Sequence, residues 1–368
     1  MNNNEGPPMR IAQIATVECP VRKNHAGSIE GLVWLLTREL TRLGHEVTVF
    51  AAPGSETDGE LVATLPGPIG TAGAPDDWQL CEWINLCRAI EQSGRFDVVH
   101  SHAYLWGMPL EQLARAPMVH TLHTWPHKVD AQLWSLVPDA CVTAISRCQW
   151  QRYPHLHPAA VIPHGVNSSQ FTFRPQPQDY LCYLGRFTWG KGPDAAIAAA
   201  QALGLRLLLA GPADEYYRER VEPLVDGKRV EYVGWVGGAD RDRLLGNARA
   251  LLYPIRAPEP FGLVLAEAML CGTPVAAMRL GAVPEVVDEG VTGYSAAAAE
   301  DYAEAVRQAL TLDRRRVRDR AAERFSAERM ARQYMEVYRQ LATGLPEHPH
   351  CLNVRRRLVG SAPETDKL

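Results

Sequence analysis

The chain carries 368 residues, 46% of them hydrophobic, with 38 basic and 42 acidic side chains for a formal net charge of −4. That length exceeds what one hydrophobic core usually serves, so two domains are expected, and the apolar content excludes wholesale disorder. The slightly acidic balance argues against a nucleic-acid binder, and eight cysteines with no CxxC pair favour buried free thiols in a reducing cytosol over disulfides or zinc.

The N-terminal "MNNNEGPPMR" lacks the apolar core of a signal peptide, so a cytoplasmic protein is expected. From there short apolar runs alternate with amphipathic segments. Arg10–Thr16 reads as a strand, Ser28–Gly44 as a helix that Ser28 can cap and Gly44 can end, and His45–Ala52 as the next strand. Further strands are predicted at Asp97–His102, Met118–Thr124, Ala140–Ser146 and Ala159–Val166. Strands separated by helical segments mean βαβ units and a parallel sheet. The polar, proline-containing stretch Asn167–Asp179 has the composition of an interdomain linker.

The rhythm then restarts. Strands are predicted in "YLCYLG", "LRLLLAG", "RVEYVG", "ARALLYP" and "TPVAAM", with helices beginning near Pro193, Asp214, Gly238 and Phe261. The most apolar run, Ala195–Gly211, is interrupted by Gln201, Gly204 and Arg206, so it reads as helix, turn and strand rather than a membrane span. "DRRRVRDRAAER" (Asp313–Arg324) mixes basic with acidic residues and reads as a solvated helix face, an anionic membrane or partner patch being the other reading. Glu328–Ala342 is one more amphipathic helix, and the polar tail 345–368 is expected to be disordered. The whole reads as an α/β protein of two doubly wound parallel-sheet, Rossmann-like domains facing a cleft, at 9–166 and 180–325, joined by the linker 167–179.

In such sheets ligands bind beyond the carboxyl ends of the strands, so the loops there carry the candidates. After the first strand, Ala26, Gly27 and Ser28 lead into a helix and leave backbone N–H groups open to an anion, although ordinary turn chemistry reads the same way. "LGRFTWGKGPDAA" spells GxxxxGK, but Gly192 and Pro193 stand where a triphosphate-binding loop needs Ser or Thr. What remains is the guanidinium of Arg186 and the ammonium of Lys191, suited to a diphosphate or to a salt bridge.

"APEPFGLVLAEA" places Glu259 before a helix expected from Phe261, with Glu267 nearly two turns inside it. The amides of Phe261, Gly262, Leu263 and Val264 lie between the two acids. Amides and helix dipole would hold phosphate or hydroxyls, and the acids would accept hydrogen bonds from a polyol; a buried salt bridge at Glu267 is the competing reading. His120, His123 and His127 could suggest a metal, but strand alternation sends His120 and His123 to opposite faces, so none is expected. His123, at the strand's end, is left as a candidate for contact with a reacting group. Asp240–Asp242, "DRD", opens a helix and reads as capping acids. Tyr104, Trp106, Trp125 and His127 offer surface for an acceptor; like Trp134 they could equally be core.

Taken in order, these residues resemble the retaining, nucleotide-sugar-dependent glycosyltransferases of the GT-B fold, family 4. The Glu-x7-Glu spacing of Glu259 and Glu267 within "PEPFGLVLAEAMLCGTPV" carries the resemblance furthest, joined by "GRFTWGKG", "VIPHGVNSSQF", "YVGWV", "GAVPEVV" and "GVTGY". It spans Met9 to about Ala342. It implies an N-terminal acceptor domain completed by the crossover helix at about 328–342, and a C-terminal nucleotide-sugar-binding domain. It implies that Gly27 lies near the donor diphosphate, that Arg186 and Lys191 neutralise that diphosphate as it leaves, and that Glu267 holds the ribose hydroxyls. Glu259 and the Phe261–Val264 amides would grip the transferred sugar, Val236 would lie near the base, and His123 would sit by the sugar and the acceptor. No cofactor or metal is implied, because the two basic side chains replace it. The donor expected is a UDP-sugar, with a GDP-sugar next, and the acceptor a saccharide or other small molecule. Arg22 and Lys23 alone do not build a membrane-docking surface, so at most peripheral membrane contact is expected. This chain departs from the family pattern at Ala26-Gly27-Ser28, where many relatives carry two glycines, and at His164 and Asn167, where Asn and Asp are common. A nucleotide-sugar epimerase and a non-catalytic sugar-nucleotide module are the alternatives.

Overall fold

The computed structural model describes residues 6–23, 29–67, 69 and 75–343. They divide into two compact units. One holds the residues up to Ile145, Trp150–Ile162 and the chain from Ala331 onward; the other holds Ser146–Gln149 and Pro163–Met330.

The first unit runs β1 (Arg10–Ile14), α1 (Ile29–Arg42), β2 (Glu46–Ala51), β3 (Glu60–Ala63), α2 (Trp78–Glu91), β4 (Val98–Ser101), β5 (Met118–Thr121), α3 (Lys128–Leu136), β6 (Cys141–Ala144) and β7 (Ala160–Val161). Its seven strands are parallel in the order β3-β2-β1-β4-β5-β6-β7. Every residue of β4, β5 and β6 is buried, as a sheet covered on both faces requires. One apolar cluster joins Ile14, Phe50 and Val99 to Leu86 and Ile90 of α2; another joins Val142 and Ala144 to Trp134 of α3. Trp134 meets Trp150 edge-on at 4.6 Å and is core. Two strands differ from expectation. β7 keeps only two residues of Ala159–Val166, since Pro163 has no amide to donate to a ladder. β3, an exposed edge strand, was not anticipated.

The second unit runs β8 (Leu181–Leu184), α4 (Pro193–Leu203), β9 (Leu207–Ala210), β10 (Val230–Tyr232), α5 (Gly238–Asn247), β11 (Leu251–Tyr253), α6 (Leu263–Leu270), β12 (Val275–Met278), α7 (Val283–Val286), β13 (Gly293–Ala296), α8 (Tyr302–Ala309) and α9 (Arg314–Phe325). Six parallel strands are ordered β10-β9-β8-β11-β12-β13 around a core that includes Leu181, Phe187, Leu209, Leu252 and Ala276. The helical turn expected near Asp214 opens with that side chain accepting from the Tyr217 amide at 2.9 Å and continues as a π-helical stretch, Tyr217–Val221. α10 (Ala327–Thr343) ends the described chain, and from Ala331 onward it belongs to the first unit.

α9 bears out the reading of a solvated face at Arg315 and Arg316, which are exposed, and corrects it at its other arginines. Arg314 is buried and donates to the carbonyls of Arg174, Ala248 and Gly246 at 2.7–2.8 Å and to the Thr273 hydroxyl. Arg318 donates to the carbonyls of Phe171 and Leu270, while Arg320 and Arg324 both pair with Asp288. The five donors of a guanidinium satisfy loop and helix-end carbonyls that would otherwise be buried unpaired. The seven described cysteines are all free thiols, and no described helix is long and apolar enough to cross a membrane.

Candidate active site

In the second unit the strand order reverses between β8 and β11. A crevice opens beyond the carboxyl ends of strands at such a reversal. The loops that follow these two strands carry Arg186 and Lys191 on one side and Glu259 on the other, and the backbone ties them together. The amides of Arg256 and Ala257 donate to the Gly190 carbonyl at 2.8 and 3.2 Å, and Arg256 clasps Asp194 through two bonds of 2.8 and 2.6 Å.

The structure brings three of the predicted groups together. Lys191 Nζ lies 2.6 Å from Glu259 Oε1, both side chains about a quarter exposed or less, and 5.7 Å from the centre of the Tyr253 ring. The amides of Phe261, Gly262, Leu263 and Val264 follow directly, and among the described residues they donate to no backbone or side-chain acceptor. The helix begins at Leu263, two residues later than expected, because Gly262 takes φ +86° and so breaks from helical geometry as its N-cap. Glu267 therefore sits one turn inside α6, not nearly two. It is 5% exposed and paired with Arg241 of α5, the salt bridge that competed with a ligand role in the sequence. Arg186 is exposed; Tyr183 donates to its carbonyl at 2.9 Å, and its guanidinium makes no ion pair among the described residues.

A third loop braces Glu259. Its carbonyl accepts from the Ala282 amide at 2.9 Å, and Gly281, with φ +58°, approaches so closely that a Cβ there would stand 2.4–2.5 Å from the Glu259 backbone. Val236 is half-buried on the loop after β10, at the edge of the sheet beside the exposed Trp235. Asp242 is not a capping acid. It holds Arg174 at 2.6 Å and accepts from the Thr172 amide at 2.7 Å, pinning the segment before β8.

The first unit reverses its order between β1 and β4. Gly27, on the loop after β1, lies outside the described residues. Tyr104 and Trp106, after β4, stack at 5.1 Å and join Trp78 and Trp83 of α2 in one aromatic group. Tyr104 has φ 52° and is the one described non-glycine residue with positive φ. Trp125 and His127 belong to a different loop, after β5. There His127 is the N-cap of α3, its amide donating to Asp130 at 2.7 Å.

His120 and His123 part as expected: His120 meets Glu111 at 2.7 Å, and His123 meets His102 at 2.9 Å. Burial pushes His123 down to about 3, and burial, then the neighbouring His123 and His120, hold His100 well below the ordinary range. Both rings are therefore neutral at physiological pH. Among the described residues no group of three His, Cys, Asp or Glu side chains is placed to hold a metal ion. Sequence reasoning missed Arg241, Arg256, His100 of β4 and His102 just after it. The i, i+2 spacing of His100 and His102, which sends both to one face of a strand, was the available signal for the last two.

Residues 167–325 match the family of glycosyl transferases group 1, and residues 29–170 match glycosyltransferase family 4. A D-inositol 3-phosphate glycosyltransferase of Mycolicibacterium smegmatis is 29% identical over 345 residues, covering 78% of this chain and 79% of that protein. The crystal structure of AviGT4, a glycosyltransferase involved in avilamycin A biosynthesis, superposes with a TM-score of 0.70 at 28% identity over 92% of this chain and 99% of that one. Anabaena Alr3699/HepE in complex with UDP-glucose has the same fold, with a TM-score of 0.68 at 20% identity, covering 90% of this chain and all of that one. With both halves matched and the two reversed parallel sheets in place, the chain belongs to the family 4 glycosyltransferases of the GT-B fold.

Proposed function

We propose that this glycosyltransferase moves a hexose from a nucleotide diphosphate sugar, a UDP-sugar by preference, to a hydroxyl of a saccharide or other small-molecule acceptor, with retention and without a metal. The observation that carries the reading is the Lys191–Glu259 pair at the β8/β11 reversal, with the open Phe261–Val264 amides beside it. Among the described residues, each charge has the other as its ion-pair partner, with the Tyr253 ring beside Lys191. A sugar diphosphate supplies both with better partners: phosphate oxygens for Lys191 and Arg186, and sugar hydroxyls for Glu259 and the amides. Glu267 takes the ribose hydroxyls while Arg241 holds it, Val236 lines the base, Gly27 approaches the diphosphate, and His123 contacts the sugar. The UDP preference draws on the relative crystallised with UDP-glucose.

Charge builds on the leaving diphosphate as the sugar becomes oxocarbenium-like, and Arg186 and Lys191 stabilise that charge as it appears. The acceptor attacks from the face the phosphate leaves, and the phosphate takes the acceptor's proton. Removing one such electrostatic partner costs about 2.7–4 kcal/mol at the barrier, or roughly 10²–10³ in kcat. Arg186→Ala and Lys191→Ala are each expected to lose that much in initial-rate assays with UDP-sugars and an acceptor panel. Turnover within about twofold of wild type for either variant would end the electrostatic account.

A further inference from the structure

Inside the first unit, a hydrogen-bonded chain leads inward from His123. His123 Nε2 stands 2.9 Å from His102 Nδ1, and His102 Nε2 stands 2.6 Å from Gln13 Oε1. Gln13 Nε2 reaches the Tyr338 hydroxyl at 3.1 Å, and that hydroxyl lies 2.6 Å from His100 Nδ1. His100 Nε2 then meets the Thr121 hydroxyl at 2.7 Å. Gln13 comes from β1, His100 from β4 and Tyr338 from α10, and each is 0% exposed.

An amide donates from one end only, and this orients the links from Gln13 through His102 to His123. Gln13 gives its N–H to the phenol oxygen, so its carbonyl faces His102 and accepts. His102 is 2% exposed, and burial disfavours a charged ring, so its one proton sits on Nε2 and Nδ1 is an acceptor. The nitrogen of His123 that meets it must donate.

We propose that Gln13 and Tyr338 are positioning residues that hold His123 as the neutral Nε2–H tautomer, so that any hydrogen bond between its ring and a substrate hydroxyl runs from the hydroxyl to Nδ1. His123 is then an acceptor in the reaction and not a proton donor. Its effect on turnover rests on the reading above that His123 touches the sugar; the tautomer itself does not.

The test is nitrogen NMR of the full-length protein labelled at histidine, with His123 assigned through His123→Gln. Wild type should show a protonated Nε2 and an unprotonated Nδ1 at His123, unchanged between pH 6 and 8. Tyr338→Phe removes the acceptor of the Gln13 amide and lets it turn over. The inverted tautomer should then appear at His102 and His123, and kcat should fall about tenfold or more while KM for the donor stays within about twofold. Adding Gln13→Glu to Tyr338→Phe should restore the first tautomer, since a carboxylate can only accept from His102 Nε2–H. A protonated Nδ1 at His123 in wild type, or a His123 tautomer indifferent to Tyr338→Phe, overturns the proposal. Full activity in His123→Ala would instead overturn the contact of His123 with substrate and leave the tautomer result standing.

Discussion

Glu82 of α2 is 1% exposed, and one of its carboxylate oxygens takes the Val17 amide at 2.8 Å while the other has no partner among the described residues. Burial first, then the nearby Glu30 and Glu18, raise it from about 4.5 to about 7, against the Val17 bond that lowers it. The folded chain therefore binds more protons than the unfolded chain between those two values, so stability falls as pH rises through that window and is level above it. A shift of that size corresponds to about 3 kcal/mol. Glu82→Gln, which stays neutral, should match wild type near pH 4.5 and exceed it by about that amount above pH 7.5 in urea unfolding series. Parallel curves for the two proteins across the range would refute the assignment. That Arg186 and Lys191 share one loop, and Glu259 and Glu267 one stretch of loop and helix, was legible in the sequence because each pair is close along the chain. Glu82 was not, because its burial depends on α2 packing against the loop after β1. Nor was Arg241, which reaches Glu267 from another helix.

Among elements, the loops carry more constraint than the helices they join. Gly281 lets the segment after β12 press on the backbone of Glu259, a contact that a side chain at that position would prevent. Gly281→Ala should leave the far-ultraviolet circular dichroism unchanged yet lower kcat/KM by about tenfold or more, since an ångström of displacement at a reacting group can cost about a hundredfold. Unaltered kinetics in a folded variant would mean that the brace does not set the carboxylate's position. The start of α6 escaped the sequence for a related reason: Phe261 and Gly262 continue an apolar run, and only the positive φ of Gly262 separates them from the helix. α9 was misread at Arg314 and Arg318 because its acids and bases alternate as on a wetted face; where those side chains go depends on carbonyls of distant segments, Phe171, Arg174 and Leu270 among them.

For the whole molecule, alternating strands and helices made two doubly wound sheets legible, because a parallel sheet leaves long apolar runs that survive any change of partner. The membership of α10 is a matter of contact and not of composition. Its Tyr334 and Tyr338 fill the first unit beside His100, with ring centres 4.8 and 5.6 Å from the imidazole. A fragment of residues 6–162 lacks both phenols and should melt without a cooperative transition, and a peptide of residues 327–343 added in trans should restore one. A sharp transition in the fragment alone would show that the sheet closes without the helix.

This arrangement sets a timetable for synthesis. The ribosome has made all of the second unit before it delivers the tyrosines that complete the first. At translation speeds of about 5–20 residues per second, the N-terminal sheet waits on the order of ten to thirty seconds for them. Over that interval the buried imidazoles of the nascent chain stand open to water, and the half of the protein made first is the half that matures last.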